Sequence, residues 1–274
     1  MKACEDGNSM GCYNIGTIYS KGEEVAQNDD EAFLWFIKAA RQGNANAQYS
    51  LGIVYSKGKG VDQNKKEAFK WYSKSAKQGY AAAQNNLGAQ YHHGAGVAQN
   101  YDKALQWYRK SAEQGYALSQ NNLGIMYRDG EGVVQDTKEA VKWYTKAVEQ
   151  GLATAQHNLG VMYQWGEGVE QSDEEAVKLY AKSAEQGYAS AQNNLGFMYS
   201  KGRGVVLDQK EAVKWVSKAF EQGDAGAQFN LGVFYYYGNG VSKNIEKAIK
   251  LIKKSADQNY PMALAALKKL NISR

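Results

Sequence analysis

The chain has 274 residues, 43% apolar and 22% charged, with one proline, two cysteines and 29 glycines. Its net charge of +5 comes from scattered lysines and forms no basic stripe or block of the kind that reads nucleic acid. No apolar run approaches the roughly 18 residues of a membrane span, and the opening segment "MKACEDGNSM" lacks the apolar core of a secretory signal.

Internal periods are sought before any division into domains. Residues 2–7, "KACEDG", align with Lys38–Gly43, where a helix closes, so the chain starts inside a repeating unit, as a longer protein cut short would. From Asn8 onward a 36-residue period runs without insertion. It is marked by Gly16, Gly52, Gly88, Gly124, Gly160, Gly196 and Gly232, and by Tyr19 and its equivalents up to Tyr235. Ala32 through Ala248 and Lys38 through Lys254 keep the same phase. Seven units fill residues 8–259, and 260–274 begin an eighth that reads as a C-terminal capping helix.

Within a unit the spacing predicts two helices. In the third copy Gln84, Leu87, Gly88 and Tyr91 fall at i, i+3, i+4 and i+7 of a first helix. A Gly-x-Gly stops it, glycine taking the left-handed position past a helix end without penalty. Asn28, Asn64, Asn100, Asp136, Ser172, Asp208 and Asn244 then stand where a second helix needs an N-cap. Glu31, Glu67, Glu139, Glu175 and Glu211 follow three residues later, the pattern of a capping box. The mid-helix glycine costs about 1 kcal/mol against alanine, so seven copies of it predict a close helix–helix crossing. In the closing segment Pro261 suits a first helical turn, and Leu264 and Leu267 are expected to continue the buried stripe. Hairpins that each bury a face on the next make an all-α solenoid.

The pattern "AQNNLGxMYxxGxGVxxD…EAVKWYxKAxEQG", as in residues 119–151, resembles the Sel-like repeat family, relatives of the tetratricopeptide repeats. The resemblance covers nearly the whole chain. It implies one domain over 1–274, a right-handed superhelix of αα-hairpins that binds proteins and shares no catalytic machinery. Such relatives include host-contact factors, signalling adaptors and toxin-neutralising immunity proteins.

Cys4 replaces the residue equivalent to Ala40 at the end of a second helix, and Cys12 the one equivalent to Gln48 on the next first helix. These positions face each other across the turn between units. The arrangement also resembles the Helicobacter cysteine-rich protein family, although here only one copy carries it. A Cys4–Cys12 disulfide is expected, and with it a periplasmic or secreted protein; two free thiols would instead place the chain in the cytoplasm.

Motifs that could carry chemistry fall short of it. The Gly-x-Gly occurs in six of seven copies and never follows a strand, so it is a helix stop and no phosphate loop. His92, His93 and His157 lack partners at metal-ligand spacing, and adjacent helical residues point about 100° apart. The cysteine-rich relatives suggest an alternative, a penicillin-binding or β-lactamase-like hydrolase. The one Ser-x-x-Lys, Ser56–Lys59, has neither Ser-Asp-Asn nor Lys-Thr-Gly beside it. The reading is therefore a monomeric, non-enzymatic scaffold without cofactor or metal.

The seven copies also show which positions the scaffold leaves free. Counting Ser9, Ala45 and Ala81 as position one, positions two, five, nine, twelve and thirteen flank the fixed stripe. In the related tetratricopeptide repeats such positions line the concave groove. Twelve and thirteen include His92–His93, Arg128–Asp129, Gln164–Trp165 and Tyr236–Tyr237; five adds His157 and Phe229, and nine adds Phe197. Trp165 is the one tryptophan outside the second-helix slot. The partner-binding candidates are Trp165, Phe197, Phe229, Tyr236, Tyr237, His92, His93, Arg128 and His157, for a protein partner held in the concave groove.

Overall fold

A computed structural model of the chain describes Cys4 and residues 8–272. Among these residues there are fifteen α-helices and no strand, in strict alternation of a first helix A and a second helix B. The A helices are α1 (Ser9–Lys21), α3 (Ala45–Lys57), α5 (Ala81–His93), α7 (Ala117–Asp129), α9 (Ala153–Trp165), α11 (Ala189–Lys201) and α13 (Ala225–Tyr237). The B helices are α2 (Asp29–Arg41), α4 (Lys65–Lys77), α6 (Tyr101–Glu113), α8 (Thr137–Glu149), α10 (Asp173–Glu185), α12 (Gln209–Glu221) and α14 (Ile245–Asp257). An eighth A helix, α15 (Pro261–Lys269), follows with proline in its first turn. This is an all-α solenoid of seven repeats. The expected helix-B remnant at residues 1–7 lies, Cys4 apart, outside the described residues, as do Ser273 and Arg274.

Local chemistry sets each boundary. Gly94 adopts φ +68° and its N–H returns to the Gln90 carbonyl, ending α5. Asn64 opens α4, its side-chain oxygen accepting the N–H groups of Lys66 and Glu67 at 3.1 and 3.0 Å. The reciprocal half of the expected capping box is replaced. The Asn64 N–H instead donates to the Tyr55 carbonyl of the preceding helix at 2.8 Å, and the same bond recurs from Asn28–Tyr19 to Asn244–Tyr235. With that donor taken, Glu67 pairs with Lys70, and Glu139, Glu175 and Glu211 pair with the lysine three residues on.

The mid-helix glycines do mark a close crossing. A Cβ on Gly88 would stand 2.8 Å from the Tyr108 ring, and on Gly160 2.8 Å from that of Tyr180. Helix A therefore lies directly on an aromatic or branched side chain of its own helix B. The second loop glycine has a different task. At Gly132 a Cβ would meet the backbone carbon of Tyr101 at 2.7 Å, where the loop presses on the start of the previous repeat's helix B. The phase-locked lysines lie over the helix-B tryptophans, Lys74 at 4.1 Å from Trp71 and Lys146 at 4.2 Å from Trp143.

Packing divides the chain into two compact units, residues 1–136 and 137–274. In the first, Leu51, Tyr72, Leu87, Tyr108 and Met126 fill the core; in the second, Tyr144, Tyr180, Leu195, Met198 and Leu231 do so. The buried stripe is wider than the fixed residues indicate. Position three (Ala47, Ala83, Ala155, Ala191, Ala227) and position ten (Val54, Met126, Met162, Met198, Phe234) are both buried. Leu264 departs from expectation: it is 37% exposed, while Ala263 and Leu267 are buried. From the second repeat to the seventh the equivalent of Leu264 is a glutamine, and the glutamine closing the following helix B can cover it, as Gln78 covers Gln48 at 2.8 Å. No such helix B follows α15 among the described residues.

Candidate functional site

In the second unit, α11, α13 and α15 enclose a groove of about 450 Å³. Phe197, Phe229, Tyr236 and Tyr237 all line it, with Met262 and Leu270 on the α15 side. Phe229 is held against Tyr260, ring centroids 5.8 Å apart, and Tyr236 meets Tyr237 edge-on at 5.0 Å. Lys201 and Lys269 are the charged residues of the lining, and neither pairs with a carboxylate among the described residues. The site thus offers apolar rings and phenolic hydroxyls flanked by two cations. Four candidate residues gather here. Trp165, the fifth aromatic, stands 62% exposed at the end of α9 and does not line the groove.

The polar candidates have occupations of their own. His157 reaches the Asn194 amide of the next repeat at 3.2 Å and packs on Tyr188 at 5.2 Å. It belongs to a polar ladder between neighbouring A helices that includes Asn122 on Asn85 and Asn230 on Asn193, at 3.0 and 2.8 Å. Arg128 engages its neighbour Asp129 through two contacts of 2.7 and 2.9 Å. His92 places Nε2 2.6 Å from the Glu131 carboxylate, which hangs on the loop after α7. The rings of His92 and His93 converge more than the helical angle alone suggests, with Nδ1 atoms 3.3 Å apart. Among the described residues no group of His, Cys, Asp and Glu could hold a metal ion, and no helix is long and apolar enough to cross a membrane.

His93 lines a second groove, of about 410 Å³, in the first unit. Around it stand Lys57 from α3, Lys65 from α4 and Gln90 from α5. Tyr72 forms part of its wall; burial pushes the phenol up to about 12, while hydrogen bonds with Asn86 and Ser56 act in the opposite direction. Gln90 escapes a search for exposed variable positions because position ten faces inward. The signal that could have found it is its departure from Ile18, Val54, Met126, Met162, Met198 and Phe234.

The Cys4–Cys12 disulfide joins the start of the chain to α1, with Cα atoms 4.7 Å apart.

A family model described as the Sel1 repeat matches seven consecutive segments: 9–44, 45–80, 81–116, 117–152, 153–188, 189–224 and 225–260. Among solved structures, a protective antigen present in uropathogenic Escherichia coli strains, with the same repeat fold, is 38% identical at a TM-score of 0.80. That match covers 97% of this chain but 58% of the antigen. A Sel1 repeat protein from Oxalobacter formigenes is 32% identical at a TM-score of 0.74, over 98% of this chain and 78% of that one. An immunity protein from Pseudomonas aeruginosa, 21% identical at a TM-score of 0.52 over 78% of this chain and 81% of its own, shares the fold. No curated protein matches the chain.

Proposed function

The chain belongs to the Sel1 repeat family, whose members serve as protein-interaction scaffolds, and we propose that it is a non-enzymatic scaffold that grips a protein partner through the aromatic groove of its second unit. One observation carries the reading. Phe229, Tyr236 and Tyr237 occupy phases at which the copies vary, and they come together with Phe197 over one groove of about 450 Å³. Soluble proteins rarely leave such apolar concavities without a use, and aromatic anchors in a pocket are where binding energy concentrates. Lys201 and Lys269 at this groove favour a partner segment that is apolar in the middle and acidic beside it.

The same proposal places the protein outside the reducing cytoplasm, since disulfides persist in oxidising compartments and Cys4 and Cys12 are bridged. The Escherichia coli relative is described as a protective antigen, which favours host contact over toxin neutralisation among the roles open to an exported scaffold. For the hydrolase alternative, Ser56 is a hydrogen-bond partner of the Tyr72 phenol, a role set by the groove wall.

The test is capture from host-cell surface extracts with wild type, Tyr237→Ala and Lys77→Ala proteins of equal melting temperature, Lys77 being exposed and lining neither groove. A protein retained by wild type and by Lys77→Ala but lost by Tyr237→Ala supports the groove. A protein released only by changes on the helix-B tryptophan face, such as Trp107→Ala, overturns it.

A further inference from the structure

The third repeat departs from its siblings at several neighbouring places. At position nine Ala89 stands where the other copies carry Thr17, Ile53, Ile125, Val161, Phe197 and Val233. At position ten Gln90 occupies a slot that is apolar in every other copy. Ala89 and Gln90 both line the groove of about 410 Å³, where a smaller and a more polar side chain replace the usual apolar pair. Gln90 is 8% exposed, and its amide oxygen finds no hydrogen-bond donor among the described residues. A buried acceptor without a donor costs stability, and native proteins keep such atoms sparingly. Around this acceptor the lining carries Lys57, Lys65 and His93 and no carboxylate. Glu131, on the loop after α7, is engaged by His92, the neighbour of His93. Neither lysine has an ion-pair partner among the described residues.

We infer that this groove is a second binding site, specific for an extended peptide segment bearing an acidic side chain. Its carboxylate would meet Lys57 and Lys65, and a turn of the Gln90 amide, whose oxygen has no donor to lose, would bring that oxygen to the groove to accept the peptide's backbone N–H. The inference rests on the reading that the chain binds protein. A bare anion answers the lysines but brings no donor to Gln90, whereas a peptide unit beside a glutamate supplies both. Association is charge-assisted and therefore weakens with added salt.

The test uses the full chain, isotope-labelled, and amide chemical shifts read on titration with an acetylated, amidated Ala-Glu-Glu-Ala peptide. Shifts are expected at Ser56, Lys57, Gln90 and His93, with binding at least about tenfold tighter than to the Ala-Gln-Gln-Ala peptide. The double change Lys57→Ala, Lys65→Ala should abolish them. Gln90→Met restores the residue that the fourth to sixth repeats carry, so it should fold and melt no lower while weakening the peptide about tenfold. Three results overturn the inference. They are wild-type binding by the Gln90→Met protein, the same shifts produced as tightly by inorganic phosphate, and a peptide that shifts none of these amides. Peptide shifts confined to Phe197, Phe229 and Tyr236 would also end it, while leaving the aromatic-groove reading intact.

Discussion

Cys12 is bonded to Cys4 across eight residues of chain, and Gln48 donates to the Ala40 carbonyl at 3.2 Å across the same eight. Gln84–Ala76 and Gln192–Ala184 repeat the link at 3.2 and 3.1 Å. The disulfide is thus a covalent form of the tie that joins the end of each helix B to the next helix A. Closing so short a loop stabilises by about 2–3 kcal/mol in the chain-entropy account. Reduction should therefore loosen the first repeat alone. Hydrogen exchange in α1 is expected to accelerate about tenfold or more on reduction, with α11 and α13 unchanged. Equal protection of α1 in both redox states would remove any stabilising role from the bridge.

Gly88→Ala separates two opposed effects. Helix propensity alone favours alanine by about 1 kcal/mol. The added Cβ, however, would sit 2.8 Å from the Tyr108 ring, which is itself buried. Overpacking costs about 1–3 kcal/mol, so the variant should be destabilised on balance, read as a lower denaturation midpoint at unchanged slope. A midpoint above wild type would mean that the crossing relaxes freely.

Much of this architecture can be read from the chain because each repeat states its own boundaries. Asn64 and Gly58 act within a few residues of themselves, so their chemistry is local and survives translation into structure. Contacts that depend on how repeats stack are harder to foresee. His157 looks free on its helix, yet its partner Asn194 lies 37 residues away. Glu67 looks like half of a capping box, but the Asn64 N–H it would accept already donates to the Tyr55 carbonyl of the preceding helix. Of the five aromatic candidates, four share a groove because α15 closes it with Met262 and Leu270; nothing in the spacing of Trp165 reveals that it falls outside.

Alkaline pH offers a further check. Burial raises the Tyr72 phenol from 10.0 to about 12, and burial moves Tyr108 and Tyr180 in the same direction. The unfolded chain releases the Tyr72 proton at lower pH than the folded one. Its contribution to stability is accordingly complete below about pH 10 and is lost as pH rises towards about 12. Stability from urea melts should fall across that window, and Tyr72→Phe should make the fall shallower. A Tyr72→Phe protein with an unaltered alkaline profile would show that this phenol does not report on folding.

The aromatic groove makes the sharpest demand, because its residues differ in how far the fold needs them. Phe229 leans on Tyr260 and packs with the buried Ile252–Leu267 cluster, so Phe229→Ala should lower both the melting temperature and binding. Tyr237 is 67% exposed and lines the same groove; removing it takes away surface the fold does not use. Tyr237→Ala should therefore leave the melting temperature in place and weaken a groove-bound partner by about 2 kcal/mol, some thirtyfold in dissociation constant. Tyr236, half-buried between them, should show the same binding loss with a small stability cost. Trp165 is exposed on α9, outside the groove. Trp165→Ala changes binding only if the partner extends from the groove to the fifth repeat, which calorimetry on Trp165→Ala, Tyr237→Ala and their double would report as additive losses. A partner that binds Tyr237→Ala and Tyr236→Ala as tightly as wild type is not held by this groove.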